Sequence, residues 1–301
     1  MSLPNKTQLL PDRPGIPPMA VLPEAETIDT AALAKAYADG DIDLICVLGP
    51  TASGKTRYAV QLAKDLDRFL RSARNDNTPT VPDLDRSVIP NPAGVKESLA
   101  EILSADSRQV YSGMDIGTGK DLCEYGDVPY HLIDIVPAGT KYNIYEYQAA
   151  FAKAWADVRS RGRIPILCGG SGLYIEAATR AYKFDKENGV PSSELPQKVF
   201  YIGTLVTREE RVARIDRRLD ERLEEGLVEE VKGLLDSGIP AENLLWYGLE
   251  YKFVTQYVLG ELTYEEMRIL LANAIHQFAK RQMTWFRGME RDGIRIHWVQ
   301  V

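Results

Sequence analysis

The feature that most constrains this 301-residue sequence is an apolar segment, Leu44–Leu48, followed directly by the octapeptide Gly49–Thr56. The octapeptide reads GPTASGKT and fits the pattern G-x-x-x-x-G-K-[ST] at every fixed position. Its glycines let successive backbone N–H groups point at phosphate oxygens, and a helix beginning at Lys55 adds partial positive charge. Because a strand precedes the motif and a helix follows it, we expect this phosphate-binding loop to hold a di- or triphosphate.

Each residue of the loop is expected to take part in binding the phosphates. Lys55 would reach the terminal phosphate, and the hydroxyl of Thr56 would bind Mg²⁺, the one cofactor that we expect. The predicted diphosphate-binding residues are Gly49, Pro50, Thr51, Ala52, Ser53, Gly54, Lys55 and Thr56. The loop by itself leaves open whether phosphate is transferred, hydrolysed or released as a leaving group.

Apolar strands alternate with helical patterns along the rest of the chain, which predicts a parallel α/β sheet. A helix is predicted from Lys55 to about Leu70, and another over Ile144–Arg161. Together with the phosphate-binding loop, this pattern favours the three-layer fold of P-loop NTPases, with a mostly helical C-terminal region. The further strands are predicted at Glu101–Ala105, His131–Val136, Ile164–Cys168, Val199–Val206 and Ile294–Val299.

The organisation along the chain is predicted from changes in composition. Residues 1–40 are an arm rich in proline followed by a short helix, and residues 41–206 form the catalytic α/β domain. Within that domain, residues 72–98 lack periodicity and are expected to be a surface insertion. Residues 207–301 form a helical region, with long segments near 208–237 and 263–290, which returns a last strand near 294–299 to the sheet.

Composition excludes several other classes of protein. With 45% hydrophobic and 26% charged residues the chain is an ordinary globular sequence. A net charge of −7 argues against a protein that coats nucleic acid, but a local basic face remains compatible with it. Cys46, Cys123 and Cys168 form no C-x-x-C pair, which argues against disulfides or structural zinc and for the cytoplasm. No apolar run approaches the ~20 residues that cross a bilayer, so no membrane contact is expected, and no obligate protein partner is evident.

Two acidic residues follow predicted strands. Active sites of open α/β sheets lie at the carboxyl ends of the strands, so Asp106 is well placed to act in the cleft. The alternative is that Asp106 is a helix cap or a turn former. Asp134 is the weaker candidate, because it fits a cap of the next turn.

Longer stretches of sequence resemble one family. The segment Ser104–Lys120, SADSRQVYSGMDIGTGK, resembles the one that follows the first helix in tRNA dimethylallyltransferases. Val128–Asp134, Gly169–Tyr174 and Ala279–Phe286 are similar to three further signatures of these enzymes. With Gly49–Thr56 the blocks occur in the family's order. The resemblance covers most of the chain outside the N-terminal arm and the insertion.

The resemblance implies transfer of a dimethylallyl group from dimethylallyl diphosphate to the N6 amine of an adenosine near the anticodon of tRNA. Lys55, the loop amides and Mg²⁺ would then stabilise charge on the leaving diphosphate. Asp106 would accept the proton of the amine, and Ser171 would orient it where the family usually has threonine. Alternatively, Ser171 only caps a helix. The family's R-I-x-x-R pattern falls on Arg214 and Arg218, which would assist the diphosphate.

Residues that would contact tRNA or its adenosine lie in two of the matching segments. Basic and stacking side chains together suit an RNA backbone and splayed bases. Trp285 and Phe286 nevertheless fit core positions better than base platforms, and His131 and His276 lack metal-ligand spacing and are expected to be structural. The predicted contacts are Asp106, Ser107, Arg108, Gln109, Tyr111, Lys120, Lys280 and Arg281.

Departures from the family bear on the acceptor. Only the link Ala181–Gln197 stands where typical members insert a helical domain that embraces the anticodon stem, so this domain is largely absent. Tyr130 replaces the first of two histidines, and Gly248–Lys252 stretches a normally compact Gly-Tyr-Lys. The short link keeps open the prenylation of a free adenine nucleotide. The phosphate-binding loop taken alone also fits a P-loop kinase or NTPase, or an RNA-binding module that has lost catalysis.

Overall fold

A six-stranded parallel sheet forms the centre of the computed structural model, which describes residues 22–75, 98–180 and 189–301. The strand order is β4-β2-β6-β1-β7-β8, and β3 pairs with β5 in a separate two-stranded sheet. The strands are β1 Leu44–Leu48, β2 Ala100–Ser104, β3 Tyr111–Ser112, β4 Tyr130–His131, β5 Val136–Pro137, β6 Ile164–Gly169, β7 Val199–Leu205 and β8 Ile296–Gln300.

Helices cover both faces of the sheet, because β1 is apolar on both sides. The helices are α1 Thr30–Ala38, α2 Lys55–Asn75, α3 Ile144–Ser160, α4 Gly172–Thr179, α5 Arg208–Glu225, α6 Leu227–Asp236, α7 Ala241–Leu244, α8 Leu249–Val258 and α9 Tyr264–Arg291. Ile45 and Val47 pack in a core with α1 and α2, whereas Leu44, Cys46 and Leu48 face the core that holds α3 to α6, α8 and α9. The predicted three-layer α/β fold is confirmed.

Helix starts follow their local sequence. The side chain of Asp29 accepts hydrogen bonds from the first N–H groups of α1, and Asn143 does so for α3. In α9, Thr263 and Glu266 form a capping box, which satisfies two backbone donors reciprocally. These three starts agree with the predicted helices.

One predicted strand is wrong. His131–Val136 does not continue as a strand, because Leu132 and Asp134 adopt left-handed φ angles of 66° and 57°. Tyr130–His131 therefore pairs with β2, while Val136–Pro137 turns away and pairs with Tyr111–Ser112. The other predicted strands are present, with ends shifted by one or two residues.

Two predicted helix bounds are also corrected. The helix after the phosphate-binding loop runs to Asn75, beyond the predicted end near Leu70 and into the start of the predicted 72–98 insertion. Residues 76–97 of that insertion lie outside the described residues. The long segment near 208–237 is two helices, because Gly226 between them has a φ of 105°.

The described end of the N-terminal arm runs along the last strand of the sheet. The N–H of Glu26 donates to the carbonyl of Trp298 at 2.6 Å, and its carboxylate bonds Nδ1 of His297 at 2.7 Å. Residues 1–21 of the predicted arm lie outside the described residues. Glu26 thus partners an edge strand that otherwise exposes its backbone groups.

Candidate functional site

Three segments meet at the carboxyl edge of the sheet, where β2, β6 and β1 are neighbours. The phosphate-binding loop follows β1, the turn Gly169–Ser171 follows β6, and Asp106 follows β2. The N–H of Ser171 donates to the carbonyl of Ala105 at 3.3 Å, which ties the second segment to the third. A Cβ on Gly169 would collide with the backbone of Ala105, so glycine is required at this approach. The edge is the expected location for a ligand in an open α/β sheet.

The phosphate-binding loop has the backbone conformation that its glycines predict. Gly54 has a φ of 80°, and Ala52 also lies in the left-handed region with a φ of 60°. The hydroxyl of Ser53 hydrogen-bonds that of Thr204 on β7 at 2.7 Å, and both residues are fully buried. A Cβ on Gly49 would collide with these two hydroxyls. Strand β7 therefore packs against the loop and holds it through the hydroxyl of Thr204.

Lys55 and Thr56 begin α2 over a floor formed by Cys168. Burial lowers the pKa of the Lys55 ammonium, because the charged form loses hydration. Burial also raises the pKa of the Cys168 thiol to about 12, and a side-chain hydrogen bond joins it to Thr56. The Lys55 cation thus lies partly desolvated over an uncharged floor, where its attraction for an anion is strong.

Asp106 has one oxygen engaged by its own turn. Oδ1 accepts the N–H of Arg108 at 2.9 Å, and the Asp106 N–H donates to the hydroxyl of Ser104 at 3.3 Å. The turn-forming alternative is therefore present, but it occupies only one carboxylate oxygen. Among the described residues no hydrogen bond to Oδ2 is seen.

Ser171 faces the Asp106 segment instead of capping its helix. It occupies the N-cap position of α4 but its side chain makes no cap hydrogen bond. Its hydroxyl accepts the N–H of Ser107 at 3.1 Å and contacts the hydroxyl of Ser107 at 3.3 Å. The side chain of Ser171 therefore does not cap α4, as the alternative interpretation expected.

Arg214 lies beside the phosphate-binding loop. Its guanidinium pairs with Glu210 at 2.5 Å and donates to the carbonyl of Val301 at 3.4 Å. A Cβ added to Gly54 would lie 3.5 Å from Nη1 of Arg214. A cation is thus held next to the start of α2.

Arg218 lines a cleft together with Thr51 of the phosphate-binding loop. Its neighbour Arg222 lines the same cleft, and the sequence assigned no role to it. Arg218 pairs with Asp121 at 2.7 Å, whereas Arg222 lies 3.9 Å from both Asp121 and Glu250. Burial and the proximity of Arg222 lower the pKa of Arg218. Helical spacing was the only available signal for Arg222, since it follows Arg218 by one turn.

Among the predicted adenosine contacts, Lys120 and Gln109 are buried beneath the segment that follows Asp106. The ammonium of Lys120, 2% exposed, donates to the carbonyl of Tyr111 at 2.8 Å and pairs with Asp115 and Asp134. The ammonium of Lys120 is thus engaged by protein groups, and its expected contact with the adenosine stays a prediction. Gln109 likewise bonds within the segment, accepting the hydroxyl of Ser104 and donating to Gly119.

Tyr111 and Arg108 both contact the segment that precedes α8. The ring of Tyr111 lies 4.6 Å from that of Tyr247. Arg108 is half-buried, and a Cβ on Gly248 would lie 3.6 Å from its Nε. The stretched Gly248–Lys252 segment therefore borders the predicted acceptor side of the site.

Glu230 anchors the same segment and was missed from the sequence. Its carboxylate accepts the N–H groups of Asp115, Ile116 and Gly117 at 2.7 to 3.0 Å. The hydroxyl of Tyr251 donates to it at 2.7 Å. An acidic residue in an amphipathic helix carries no pattern that distinguishes an anchor from a solvated side chain.

Gln282, also missed, joins α9 to the phosphate-binding loop. Its Oε1 accepts the N–H of Thr51 at 2.8 Å, and its Nε2 donates to the carbonyl of Gly170 at 2.9 Å. Its position inside the matching segment Ala279–Phe286 was the one available signal. The neighbouring Lys280 and Arg281 are exposed on the same helix, away from the buried amide.

Trp285 and Phe286, the aromatic pair that follows on α9, differ in their burial. Phe286 is fully buried, whereas Trp285 is 36% exposed and lies against Gly172, where a Cβ would collide with its indole. His131 hydrogen-bonds Glu101 at 2.7 Å and His276 hydrogen-bonds Asp216 at 2.8 Å, so each imidazole contacts a carboxylate of the protein. Across residues 22–75, 98–180 and 189–301, no cluster of three or more His, Cys, Asp or Glu is arranged to hold a metal ion.

No helix in the described parts of the chain combines the length and apolar character needed to span a bilayer. All three cysteines are free thiols, and Cys46 and Cys168 are buried.

Comparison with known proteins identifies close relatives. The family model described as IPP transferase matches residues 109–197 and 180–289. tRNA dimethylallyltransferase 2 of Porphyromonas gingivalis (strain ATCC BAA-308 / W83) is 43% identical, and the match covers 85% of this chain and 93% of the relative. tRNA dimethylallyltransferase 1 of Parabacteroides distasonis is 40% identical, with 85% and 92% covered.

Solved structures agree with these sequence matches. The full-length tRNA isopentenylpyrophosphate transferase of Bacillus halodurans is 28% identical, with a TM-score of 0.66 and 85% of this chain and 89% of that chain covered. The corresponding enzyme of Staphylococcus epidermidis is 26% identical, with a TM-score of 0.65 and 85% and 92% covered. This chain belongs to the tRNA dimethylallyltransferase, or IPP transferase, family.

Proposed function

We propose that this protein transfers the dimethylallyl group of dimethylallyl diphosphate to the N6 amine of an adenosine in tRNA. The observation that carries the proposal is the position of three functional segments on neighbouring strands. The phosphate-binding loop after β1, Ser171 after β6 and Asp106 after β2 share one edge of the sheet. A leaving diphosphate and an incoming amine would therefore lie side by side.

The loop and the arginines of α5 stabilise the leaving diphosphate. As the bond between the allylic carbon and the diphosphate oxygen breaks, negative charge grows on that oxygen. The partly desolvated Lys55 and the loop N–H groups are held in place before this charge develops, and Arg214 and Arg218 lie beside them. Removal of one such donor costs about 3–4 kcal/mol of transition-state stabilisation.

Asp106 accepts the proton of the attacking amine. The N6 lone pair is delocalised into the adenine ring, so the amine is a weak nucleophile. As the nitrogen–carbon bond forms, one N6 proton passes to the carboxylate, whose Oδ1 is held by Arg108. A positioned base of this kind contributes about 10²–10⁴-fold in rate.

Mg²⁺ fits this site as a cation bound largely through the substrate. Thr56 supplies a hydroxyl at the start of α2, and oxygen ligands suit Mg²⁺. No carboxylate cluster accompanies it in the described residues, so phosphate oxygens and waters would complete the coordination. When bound, the ion would neutralise charge on the leaving diphosphate.

The acceptor is expected to be tRNA, as the names of the relatives indicate for those proteins. Lys280 and Arg281 are exposed on α9 and suit the RNA backbone. One observation favours a smaller adenine acceptor: residues 180–198 between α4 and β7 are too few for a separate RNA-binding domain.

A comparison of acceptors tests the proposal. Purified protein is incubated with dimethylallyl diphosphate and either tRNA, an anticodon stem-loop or adenosine monophosphate, and the products are weighed by mass spectrometry. We expect prenylated adenosine in tRNA, weaker transfer to the stem-loop and none to the nucleotide. Transfer to the nucleotide alone would show that the acceptor is a small adenine compound and not tRNA. No transfer to any acceptor would refute the proposal.

A further inference from the structure

The side-chain amide of Gln282 lies next to the phosphate-binding loop, and the proposed chemistry leaves it unused. The residue is 8% exposed, and it bonds Thr51 N–H through Oε1 and the Gly170 carbonyl through Nε2. Exchanging the two amide atoms would place donor against donor and acceptor against acceptor, so these partners fix its orientation. The amide is thus positioned by protein groups on both sides.

These two bonds join the separate halves of the site. Thr51 belongs to the loop that holds the diphosphate, whereas Gly170 precedes Ser171, which bonds the Asp106 segment through Ser107. A Cβ on Gly170 would lie 3.5 Å from Cε of Lys55, so the two halves also approach closely here. Gln282 is therefore the residue of α9 that spans from the leaving group to the acceptor side.

We propose that Gln282 is a positioning residue: its amide fixes the distance between the phosphate-binding loop and the Gly169–Ser171 turn, and so between the diphosphate and the attacking amine. The role rests on the proposed prenyl transfer. Because both ends of the amide are bonded within the protein, Gln282 acts through Thr51 and Gly170 instead of touching substrate. A displacement of reacting groups by ~1 Å is enough to slow a reaction ~10²-fold.

Two substitutions of Gln282 and one control test the role. Gln282→Met keeps the length of the side chain but loses both hydrogen bonds. Gln282→Glu keeps an acceptor for Thr51 N–H and loses the donor to Gly170. Gln277→Met is the matched control, because Gln277 lies exposed on the same helix. Hydrogen exchange of peptides covering 49–56 and 169–172 is measured together with kcat and KM for each substrate.

We expect Gln282→Met to accelerate exchange in both peptides and to lower kcat about 10²-fold, with an unchanged KM for tRNA. Gln282→Glu restores slow exchange at 49–56 only, and Gln277→Met matches the wild type. Unchanged exchange in Gln282→Met, or a loss confined to the KM for tRNA, would overturn the proposal. If the wild type itself transfers no prenyl group, the proposed function fails, while the exchange comparison still decides whether Gln282 joins the two halves.

Discussion

The carboxylate of Asp106 has a structural role in its turn and, in the proposed mechanism, a chemical one as proton acceptor. Its Oδ1 holds the turn by accepting the N–H of Arg108, and this turn brings Ser107 to Ser171. An asparagine keeps an oxygen acceptor for the turn but is a far weaker proton acceptor. The separation of these two roles makes Asp106→Asn the sharpest probe of the proton transfer.

We expect Asp106→Asn to lower the single-turnover rate of prenyl transfer about 10²–10⁴-fold. Binding of inorganic pyrophosphate, followed by calorimetry, should remain at the wild-type value because the loop is untouched. Asp127→Asn serves as the control, since Asp127 is 81% exposed. A normal transfer rate in Asp106→Asn would remove this residue from the mechanism.

Residues within a motif were predictable from the sequence, whereas their supports were not. Lys55 and Ser171 lie at the expected edge because strand–loop order fixes their position. Gln282 and Glu230 act through contacts with segments distant in sequence, and no local pattern reports such contacts. The same holds for Lys120, whose buried ammonium pairs with the carboxylates of Asp115 and Asp134, contacts that no local pattern indicated.

At the scale of elements, Gly226 decides that two helices replace one. Its φ of 105° is left-handed, and it ends α5 and precedes α6. Apolar periodicity continues through this point in the sequence, so only the glycine indicated a break. A left-handed conformation also explains why the predicted strand at His131–Val136 is wrong. Leu132 and Asp134 both adopt positive φ angles there, although neither is a glycine that would have indicated a break.

A pair of glycine substitutions measures how much the left-handed glycine at position 226 contributes to stability. Gly226→Ala should lower the free energy of unfolding by about 1–2 kcal/mol, because a Cβ disfavours the left-handed conformation. Gly233→Ala, in the interior of α6 with no atom within 4 Å of the new Cβ, should raise it by about 0.5–1 kcal/mol. Urea unfolding of both variants provides the measurement. Equal effects of the two substitutions would contradict the role assigned to Gly226.

Glu101 on β2 links three elements and should make stability depend on pH. It is 3% exposed and bonds both His131 on β4 and Arg161 after α3. Burial alone would raise the pKa of its carboxyl, but the bonds to His131 and Arg161 outweigh burial and lower it to about 2 from 4.5. The folded state therefore gains about 3 kcal/mol from the ionised carboxyl above pH 4.5, and this gain is lost as the pH falls from 4.5 to 2.

Glu101→Gln should accordingly destabilise the protein at pH 7 by at most about 3 kcal/mol, because Arg161 loses the carboxylate that it pairs with. Its free energy of unfolding should also change less than that of the wild type between pH 4.5 and 2. Urea titrations at several pH values test both points, with the exposed Glu229→Gln as control. A variant as stable as wild type at pH 7 would show that the ion pairs contribute little.

For the whole molecule, a net charge of −7 requires that RNA binding come from a local surface. Lys280→Ala and Arg281→Ala should each weaken tRNA binding and reduce the slope of log affinity against log salt by about 1. Lys153→Ala, an exposed cation on α3, should leave both quantities unchanged. Filter binding at several salt concentrations checks this prediction. An unchanged salt slope in both α9 variants would place the RNA on another surface.

The order of elements was predictable for the whole molecule, but the strand order was not. Local hydrophobic patterns predict the alternation of strands and helices, whereas the order β4-β2-β6-β1-β7-β8 depends on crossovers between distant segments. That order brings Asp106 and Ser171 next to the phosphate-binding loop. The arrangement of the candidate site is therefore a property of topology that the motifs alone do not specify.

In the proposed reaction the phosphate-binding loop holds a leaving group while carbon is transferred. The most direct test is nucleoside mass spectrometry of tRNA after incubation with the purified protein, Mg²⁺ and dimethylallyl diphosphate. We expect one adenosine carrying a dimethylallyl group, with inorganic pyrophosphate released in equal amount. Unmodified tRNA from that reaction, with phosphoryl transfer from a nucleoside triphosphate in its place, would contradict it.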